Sequence, residues 1–184
     1  QHWAGGSDPA GSLRKALAAH PGSVVLQEAL AVALADSGDI AGSISAYRAL
    51  EELQPGRKVE IQRRIGRLEL DRGQAEEGLR IFSLLRQESP GDWQSAADLA
   101  LAEQVVGNWF KAFETWQRAY ELAGPDARRT LRQPILNAAV RLQLHGRALD
   151  FYEEICVSEP DDAACGQVLR EAAAFAVEHR LAAD

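Results

Sequence analysis

Apolar residues recur along most of this chain three and four positions apart, the spacing that places them on one face of a helix. One stripe comprises Leu26, Leu30, Ala33 and Leu34, and the next comprises Ile40, Ile44, Tyr47, Leu50 and Leu53. Two further pairs of stripes follow, and the sequence contains no alternating run long enough for a strand. The pattern therefore predicts an all-α chain of amphipathic helices.

The next two pairs of stripes bring aromatic residues onto the same helix faces. They comprise Ile61, Ile65, Leu68 and Leu70, then Leu79, Phe82 and Leu85, then Ala96, Leu99, Ala100 and Leu101, then Phe110, Phe113, Trp116, Ala119 and Tyr120. We expect the aromatic residues of these helices to pack in the core, and for Trp109, which opens a helix, partial exposure is the alternative. They are Tyr47, Phe82, Trp109, Trp116 and Tyr120.

Prolines and glycines divide this pattern at a fixed period. Five prolines recur at intervals of 34 or 35 residues, at Pro21, Pro55, Pro90, Pro125 and Pro160. Proline cannot continue a helix, so each of them marks a stop. Glycine accepts the left-handed conformation that ends many helices, and three glycines lie near the middle of successive periods, at Gly38, Gly73 and Gly107. Each period predicts a helix, a tight turn, a second helix and a stop, which is typical of a solenoid.

These residues resemble the tetratricopeptide repeat (TPR) family. Its unit has two antiparallel helices, small residues where they cross, an aromatic residue in the second helix and a terminal proline. The matching residues are Leu30, Ala31, Gly38, Tyr47 and Pro55, then Ile65, Gly66, Gly73, Phe82 and Pro90, then Leu99, Ala100, Gly107, Ala112, Trp116 and Ala119. The resemblance implies a right-handed superhelical solenoid of antiparallel helix pairs whose concave face binds proteins.

The resemblance places four repeats at about 24–57, 59–91, 93–126 and 127–160. The fourth departs from the pattern, because Gly146 lies only 14 residues before its proline. We therefore expect its second helix to be about three residues short.

The first helix of this fourth unit, over 126–145, contains Pro134. A proline inside a helix costs about 3 kcal/mol, so we expect it near a helix start or at a kink.

Half repeats are predicted at both ends of a single solenoid over 10–184. Residues 10–21 resemble a lone second helix, and residues 161–182 resemble a lone first helix that covers the last repeat. Residues 1–9 are expected to be a disordered leader or an addition to the native chain.

Composition and charge exclude several classes of protein. The net charge of -7 disfavours binding to nucleic acid, which needs a basic face. No apolar run approaches the length of a membrane span, so direct membrane insertion is not expected. We expect a soluble protein, and the sequence leaves open whether it is cytoplasmic or periplasmic.

No group of residues indicates catalysis. The four histidines do not lie at metal-ligand spacing from one another or from cysteine, so we predict no metal and no cofactor. Cys156 and Cys165 flank Pro160, where two antiparallel helices would bring them close enough for a disulfide. The alternative is a pair of reduced thiols, as in cytosolic proteins.

The TPR resemblance implies that one face of each first helix contacts a partner. The candidate partner-binding residues are Glu28, Val32, Arg63, Arg67, Asp71, Leu101, Gln104, Val105 and Val140. In the fourth unit, the groove positions are expected at Gln133, Leu136, Val140, Gln143 and Leu144. The groove would be charged at one end and apolar at the other.

Arg63 and Arg67 are four residues apart and share one helix face, where they could bind a carboxylate bidentately. The alternative is a solvated face balanced by Glu60 and Asp71. The apolar end could hold a helix or an extended peptide. It could instead be closed by the C-terminal helix or belong to the core. Family members that clamp chaperone tails carry Lys and Asn where this chain has Glu28 and Val32, so that role is not expected.

The predicted function is therefore protein–protein interaction without catalysis, with a peptide or helix of a partner as the ligand. Two alternatives stay open. The chain could be the regulatory or scaffolding arm of a larger bacterial protein in envelope assembly, secretion or polysaccharide handling. It could also be a solenoid that associates with itself into a homo-oligomer.

Overall fold

The computed structural model describes residues 8–158, 170, 172–175 and 177–178, and this part of the chain is helical without a strand. The helices are α1 (Pro9–Ala19), α2 (Val24–Asp36), α3 (Ile40–Leu53), α4 (Lys58–Asp71), α5 (Ala75–Glu88), α6 (Trp93–Val106), α7 (Trp109–Leu122), α8 (Pro125–Arg141) and α9 (His145–Ser158), with a 3-10 turn at Pro55–Arg57. The chain divides into two compact units, Gln1–Pro90 and Gly91–Asp184. The predicted all-α fold is confirmed.

Tight turns join the two helices of each pair. In three of the turns a glycine has a positive φ, namely Gly38 (84°), Gly73 (81°) and Gly107 (92°). After α2, the N–H of Gly38 donates to the carbonyl of Ala35, and the N–H of Asp39 donates to that of Leu34, both at 2.9 Å. This pair of hydrogen bonds is the Schellman motif, which satisfies the last carbonyl groups of a helix. The predicted role of these glycines is confirmed.

The fourth turn is made by Gln143, which has a φ of 57°. The N–H of Leu144 donates to the carbonyl of Ala139 at 2.8 Å, so the turn has the same hydrogen bonds without a glycine. α9 then begins at His145, and Gly146 lies inside it. The prediction that Gly146 shortens this helix is wrong, because α9 has 14 residues, the same length as α5 and α7.

Replacing Gln143 with glycine should raise the free energy of unfolding by about 0.5–1 kcal/mol. A side chain in the left-handed conformation costs about 1–2 kcal/mol, and the greater entropy of glycine in the unfolded state offsets part of that gain. Urea denaturation measures the change. The control is Gln87→Gly in the exposed face of α5, which should lose about 0.7 kcal/mol. Destabilisation by both substitutions would contradict the assignment of strain to Gln143.

Pro134 lies in the middle of α8, which excludes the predicted position near a helix start, and the alternative of a kink at Pro134 stays a prediction. The helix face that bears Leu131 and Ile135, on the two sides of Pro134 in sequence, is buried, with these residues at 3% and 1% exposure. The burial of this helix therefore outweighs the cost of about 3 kcal/mol for an interior proline. Thr130, whose carbonyl loses the Pro134 hydrogen bond, is exposed and can be hydrated.

The position of the fourth turn also changes the register of α8. Leu136, expected in the groove, is 5% exposed and belongs to the core of the second unit, and it also lines the groove of that unit. Gln143 forms the turn, and Leu144 packs against that core. Asn137 and Arg141 instead stand where Val32 and Asp36 stand in α2, counted from the turn residues Gln143 and Gly38.

The cores are built around one aromatic position of each second helix. It is occupied by Tyr47, Phe82, Trp116 and Tyr152, all of which are buried. Trp109 and Tyr120 are half-buried and pack against the core of the second unit. Leu53 and Phe110 belong to the apolar stripes of α3 and α7 but are exposed, and they lie in the terminal turns of these helices.

Close helix crossing in the first unit requires glycine at two positions. A Cβ atom on Gly66 of α4 would lie 2.6 Å from Cζ of Phe82, which is fully buried. A Cβ atom on Gly78 of α5 would lie 2.5 Å from Cδ2 of Leu70. The predicted small residue at the helix crossing is thus confirmed for Gly66.

The ends of the chain are described in part. The carboxylate of Asp8 accepts a hydrogen bond from the N–H of Gly11 at 2.8 Å, and Pro9 is the first residue of α1. These two residues therefore belong to a helix start and not to the expected leader, whose residues 1–7 lie outside the described part. Cys156 is disulfide-bonded, and Cys165 lies outside the described residues.

Candidate partner-binding surfaces

In the first unit, α2 and α4 together form a pocket of about 440 Å³. Its lining consists of Val32, Ala35, Asp36, Tyr47, Glu60, Arg63, Arg64, Arg67, Leu68 and Asp71. Four of the predicted partner-binding residues, Val32, Arg63, Arg67 and Asp71, are brought together here. On α4, the opposite face is anchored in the core by Ile61 and Ile65, both 1% exposed. Helical periodicity therefore turns the arginines towards the pocket.

Arg57 links the two helices that form this pocket. Its Nη1 and Nη2 atoms lie 2.9 and 3.0 Å from the two carboxylate oxygens of Glu28 on α2. Its Nε and Nη2 atoms also donate to the carboxylate of Glu60 on α4, at 3.0 and 2.9 Å. Hydrogen bonding to Arg57 lowers the pKa of both carboxyl groups, so both are ionised at neutral pH.

The Arg57 contacts alter the roles assigned from the sequence. Glu28 was expected to contact a partner, but its carboxylate is held by Arg57 within the chain. Glu60, which with Asp71 was expected to balance Arg63 and Arg67, pairs with Arg57 and lies 3.6 Å from Arg64. The sequence analysis did not single out Arg57, which lies in the 3-10 turn.

Arg63 is half-buried and Arg67 is exposed. Both side chains interact with other groups of the chain. A partner carboxylate that binds Arg63 or Arg67 would therefore replace interactions that these side chains already make within the chain. The guanidinium of Arg64 lies 6.0 Å from the ring centroid of Tyr47, which adds a cation–π contact to the wall of the pocket.

A second pocket, of about 690 Å³, lies on the neighbouring face of α2 beside the start of α1. Its lining consists of Pro9, Val25, Glu28, Ala29, Val32, Ala33, Asp36 and Ser37. Val25 is 76% exposed and Val32 is 39% exposed. This face of α2 is therefore largely apolar and open to solvent.

The second unit has a groove of about 710 Å³. Its lining consists of Gln104, Trp109, Gln133, Leu136, Asn137, Val140, Arg141, Tyr152, Ala174, Phe175 and Glu178. Two predicted partner-binding residues, Gln104 and Val140, thus lie together. Leu101 packs against the core, and Val105 is half exposed outside the lining of this groove.

The walls of this groove are amide and aromatic in character. The Nε2 atom of Gln133 donates to Oδ1 of Asn137 at 2.8 Å, which aligns two amide groups along α8. The guanidinium of Arg141 lies 5.6 Å from the ring centroid of Trp109. Among the described C-terminal residues, Ala174, Phe175 and Glu178 form part of one wall.

Two buried acidic residues, Glu69 and Glu103, interact with other side chains of the chain. Glu69 is fully buried and its carboxylate accepts a hydrogen bond from Nε of Arg72. Burial raises the pKa of Glu103, and a hydrogen bond from Thr115 opposes this effect.

No group of three or more His, Cys, Asp or Glu residues in the described part of the chain could hold a metal ion. No helix in that part is both long enough and apolar enough to cross a membrane.

The helix pairs, their repeated turns and the buried aromatic position of each second helix define an all-α helical-repeat protein with a TPR-like solenoid fold. The fold is similar to that of solved structures of MamA. A MamA RS-1 ArsTM double mutant has 18% sequence identity and a TM-score of 0.65, covering 88% of this chain and 84% of that chain.

Two further MamA structures resemble the chain to the same degree. MamA 41-end from Desulfovibrio magneticus RS-1 has 20% identity and a TM-score of 0.66, covering 85% of this chain and 89% of that chain. A third structure of MamA has 16% identity and a TM-score of 0.63, covering 78% and 82% of the two chains. No protein-family model matches the sequence, and no curated protein matches it.

Proposed function

We propose that this chain is a non-catalytic protein-binding module that takes a peptide or helix of a partner protein on the face formed by its first helices. The observation that carries the proposal is the pocket between α2 and α4, which places Val32, Arg63, Arg67 and Asp71 around one opening. Helical-repeat proteins commonly use such extended surfaces to bind other proteins.

The chemistry of this pocket favours an acidic group next to an apolar side chain. Arg63 and Arg67 present planar guanidinium groups that match the geometry of a carboxylate. The side chain of Val32, on the opposite wall, offers apolar contact. In the second unit, the amide groups of Gln104, Gln133 and Asn137 could hold the main chain of an extended peptide. Leu101 and Val105 lie outside that groove lining and are not part of the proposed contact.

Charge reversal at Arg63 and Arg67 tests the proposal. Arg63→Glu combined with Arg67→Glu should weaken the binding of partner proteins from source-cell lysate by about tenfold or more, because an acidic ligand would meet like charges. Affinity capture followed by titration of the captured partner measures this. Circular dichroism should show little change in thermal midpoint.

The matched control is Arg14→Glu combined with Arg80→Glu, which makes the same change in charge on α1 and α5. Both arginines are exposed and pair with Asp39 and Glu77. The control should retain the partner. Equal retention by both double variants would exclude the α2–α4 pocket as the binding surface.

A further inference from the structure

Arg141, in the groove of the second unit, has no ion pair with any carboxylate of the described residues. It is exposed at the end of α8, and its guanidinium contacts the ring of Trp109 at 5.6 Å from the centroid. The arginines of the α2–α4 pocket differ, because Arg63 and Arg67 already interact with other groups of the chain. A carboxylate that binds Arg141 therefore does not have to replace an ion pair.

Trp109 restricts the guanidinium of Arg141 on one side. Both residues line the groove, and the guanidinium carbon lies over the indole ring. A guanidinium that packs against an aromatic ring keeps its N–H edge available for hydrogen bonds. That edge can donate two parallel hydrogen bonds to one carboxylate, and such bidentate pairs are strong and geometrically specific. Arg141 is thus suited to bind a carboxylate in a defined orientation.

Two amide side chains, those of Gln133 and Asn137, precede Arg141 along the same face of α8. The three residues are four positions apart, all are exposed, and all line the groove. Nε2 of Gln133 donates to Oδ1 of Asn137, which leaves the carbonyl oxygen of Gln133 and the amino group of Asn137 for other partners. An acceptor beside a donor is complementary to the N–H and C=O groups on one edge of an extended peptide.

The spacing of these three side chains matches the repeat of an extended peptide. Four residues of a helix rise about 6 Å, and two residues of an extended chain rise about 6.6 Å. A peptide that lies along α8 therefore places alternate residues opposite Gln133, Asn137 and Arg141. The two amides then contact its main chain, and Arg141 contacts a side chain at the next alternate position.

We propose that this groove selects an extended peptide with one acidic side chain at a fixed position, and that Arg141 binds the carboxylate of that side chain. The inference rests on the proposed protein-binding function and specifies the chemistry of the partner at the second unit. Glu178 is exposed and also lines the groove. Its negative charge disfavours a run of acidic residues, so the favoured ligand has a single acidic residue among uncharged ones.

Selection from a display library of short random peptides, each attached through its C-terminus, tests the proposal. The wild type should enrich aspartate or glutamate at one position, and Arg141→Gln should lose that enrichment. A selected peptide, synthesised with both ends capped, should bind Arg141→Gln roughly tenfold or more weakly than it binds the wild type in fluorescence anisotropy. Arg147→Gln is the matched control and should bind as the wild type does, because Arg147 is an exposed arginine of the same unit outside the groove lining.

Replacing the acidic residue of the selected peptide with its amide completes a double-mutant cycle. That change should weaken binding to the wild type by the same factor as Arg141→Gln does, and should have little further effect on Arg141→Gln. Gln133→Ala with Asn137→Ala should weaken the acidic peptide and its amide version alike, because these side chains bind the main chain. Each variant should keep the thermal midpoint of the wild type.

Four results would overturn the inference: no peptide selected by the wild type, selected peptides without a fixed acidic position, equal affinity of Arg141→Gln and wild type, or no binding once the peptide ends are capped. The last result would assign the groove to a free C-terminal carboxylate. Capture of a lysate partner judges the proposed function separately. A partner lost by Arg63→Glu with Arg67→Glu, together with any of those four results, would leave that function standing without this inference.

Discussion

Replacing Gly66 with valine is expected to lower the free energy of unfolding by about 2–3 kcal/mol. A Cβ atom at this position would lie 2.6 Å from Cζ and 2.8 Å from Cε1 of Phe82. The ring of Phe82 is fully buried, so it cannot move aside into solvent. The substitution therefore forces α4 and α5 apart at their crossing. Urea denaturation of the whole chain measures the loss.

The matched control is Gly146→Val, in α9. A Cβ atom on Gly146 meets no atom within 4 Å. Both positions are helical, so the intrinsic effect of replacing glycine is similar, and only the steric effect differs. The control should change stability by no more than about 0.5 kcal/mol. A loss of stability for Gly146→Val equal to that for Gly66→Val would contradict the close crossing at Gly66.

Replacing Arg72 with alanine is expected to cost about 2–3 kcal/mol, because it leaves the buried carboxylate of Glu69 without its nearest cation. Glu69 has no exposed surface, and its Oε2 accepts a hydrogen bond from Nε of Arg72. Nη2 of Arg48 lies 4.0 Å from the other oxygen, Oε1, and can compensate only in part. Thermal and urea unfolding of Arg72→Ala measure the cost.

A double substitution separates the loss of an ion pair from the loss of packing. Glu69→Leu combined with Arg72→Ala removes the buried charge along with its partner, so it should recover most of the stability that Arg72→Ala loses. A double variant less stable than Arg72→Ala alone would show that Glu69 contributes through contacts other than those with Arg72.

The helix order and the first three turns follow from local signals in the sequence. Gly38, Gly73 and Gly107 mark left-handed turns because glycine has no Cβ, and this property acts whatever surrounds it. The fourth turn could not be located in the same way, since Gln143 adopts the left-handed conformation at a cost offset by the packing of α8 and α9. Pro134 lies inside a helix instead of near its start for a similar reason, because the burial of α8 outweighs the local preference of proline.

The candidate site was predicted in part. Helical periodicity was enough to place Arg63, Arg67 and Asp71 on one face of α4, since that depends on a single helix. The contact between Arg57 and Glu28 was not predictable, because the two residues are 29 positions apart and meet only when α2 and α4 pack. The sequence alone therefore indicated Glu28 as a contact for a partner, whereas in the structure the carboxylate of Glu28 is hydrogen-bonded to Arg57.

The turns between paired helices have a consequence for how the chain folds. Within each unit, the helices contact chiefly those next to them in sequence. Bringing such neighbours together closes only short loops, so little chain entropy is lost before the contacts form. Chains with low contact order fold rapidly, on time scales of microseconds to milliseconds. A helix pair such as α2–α3, residues 24–53, can therefore nucleate folding, and it becomes stable when the neighbouring helices stack on it.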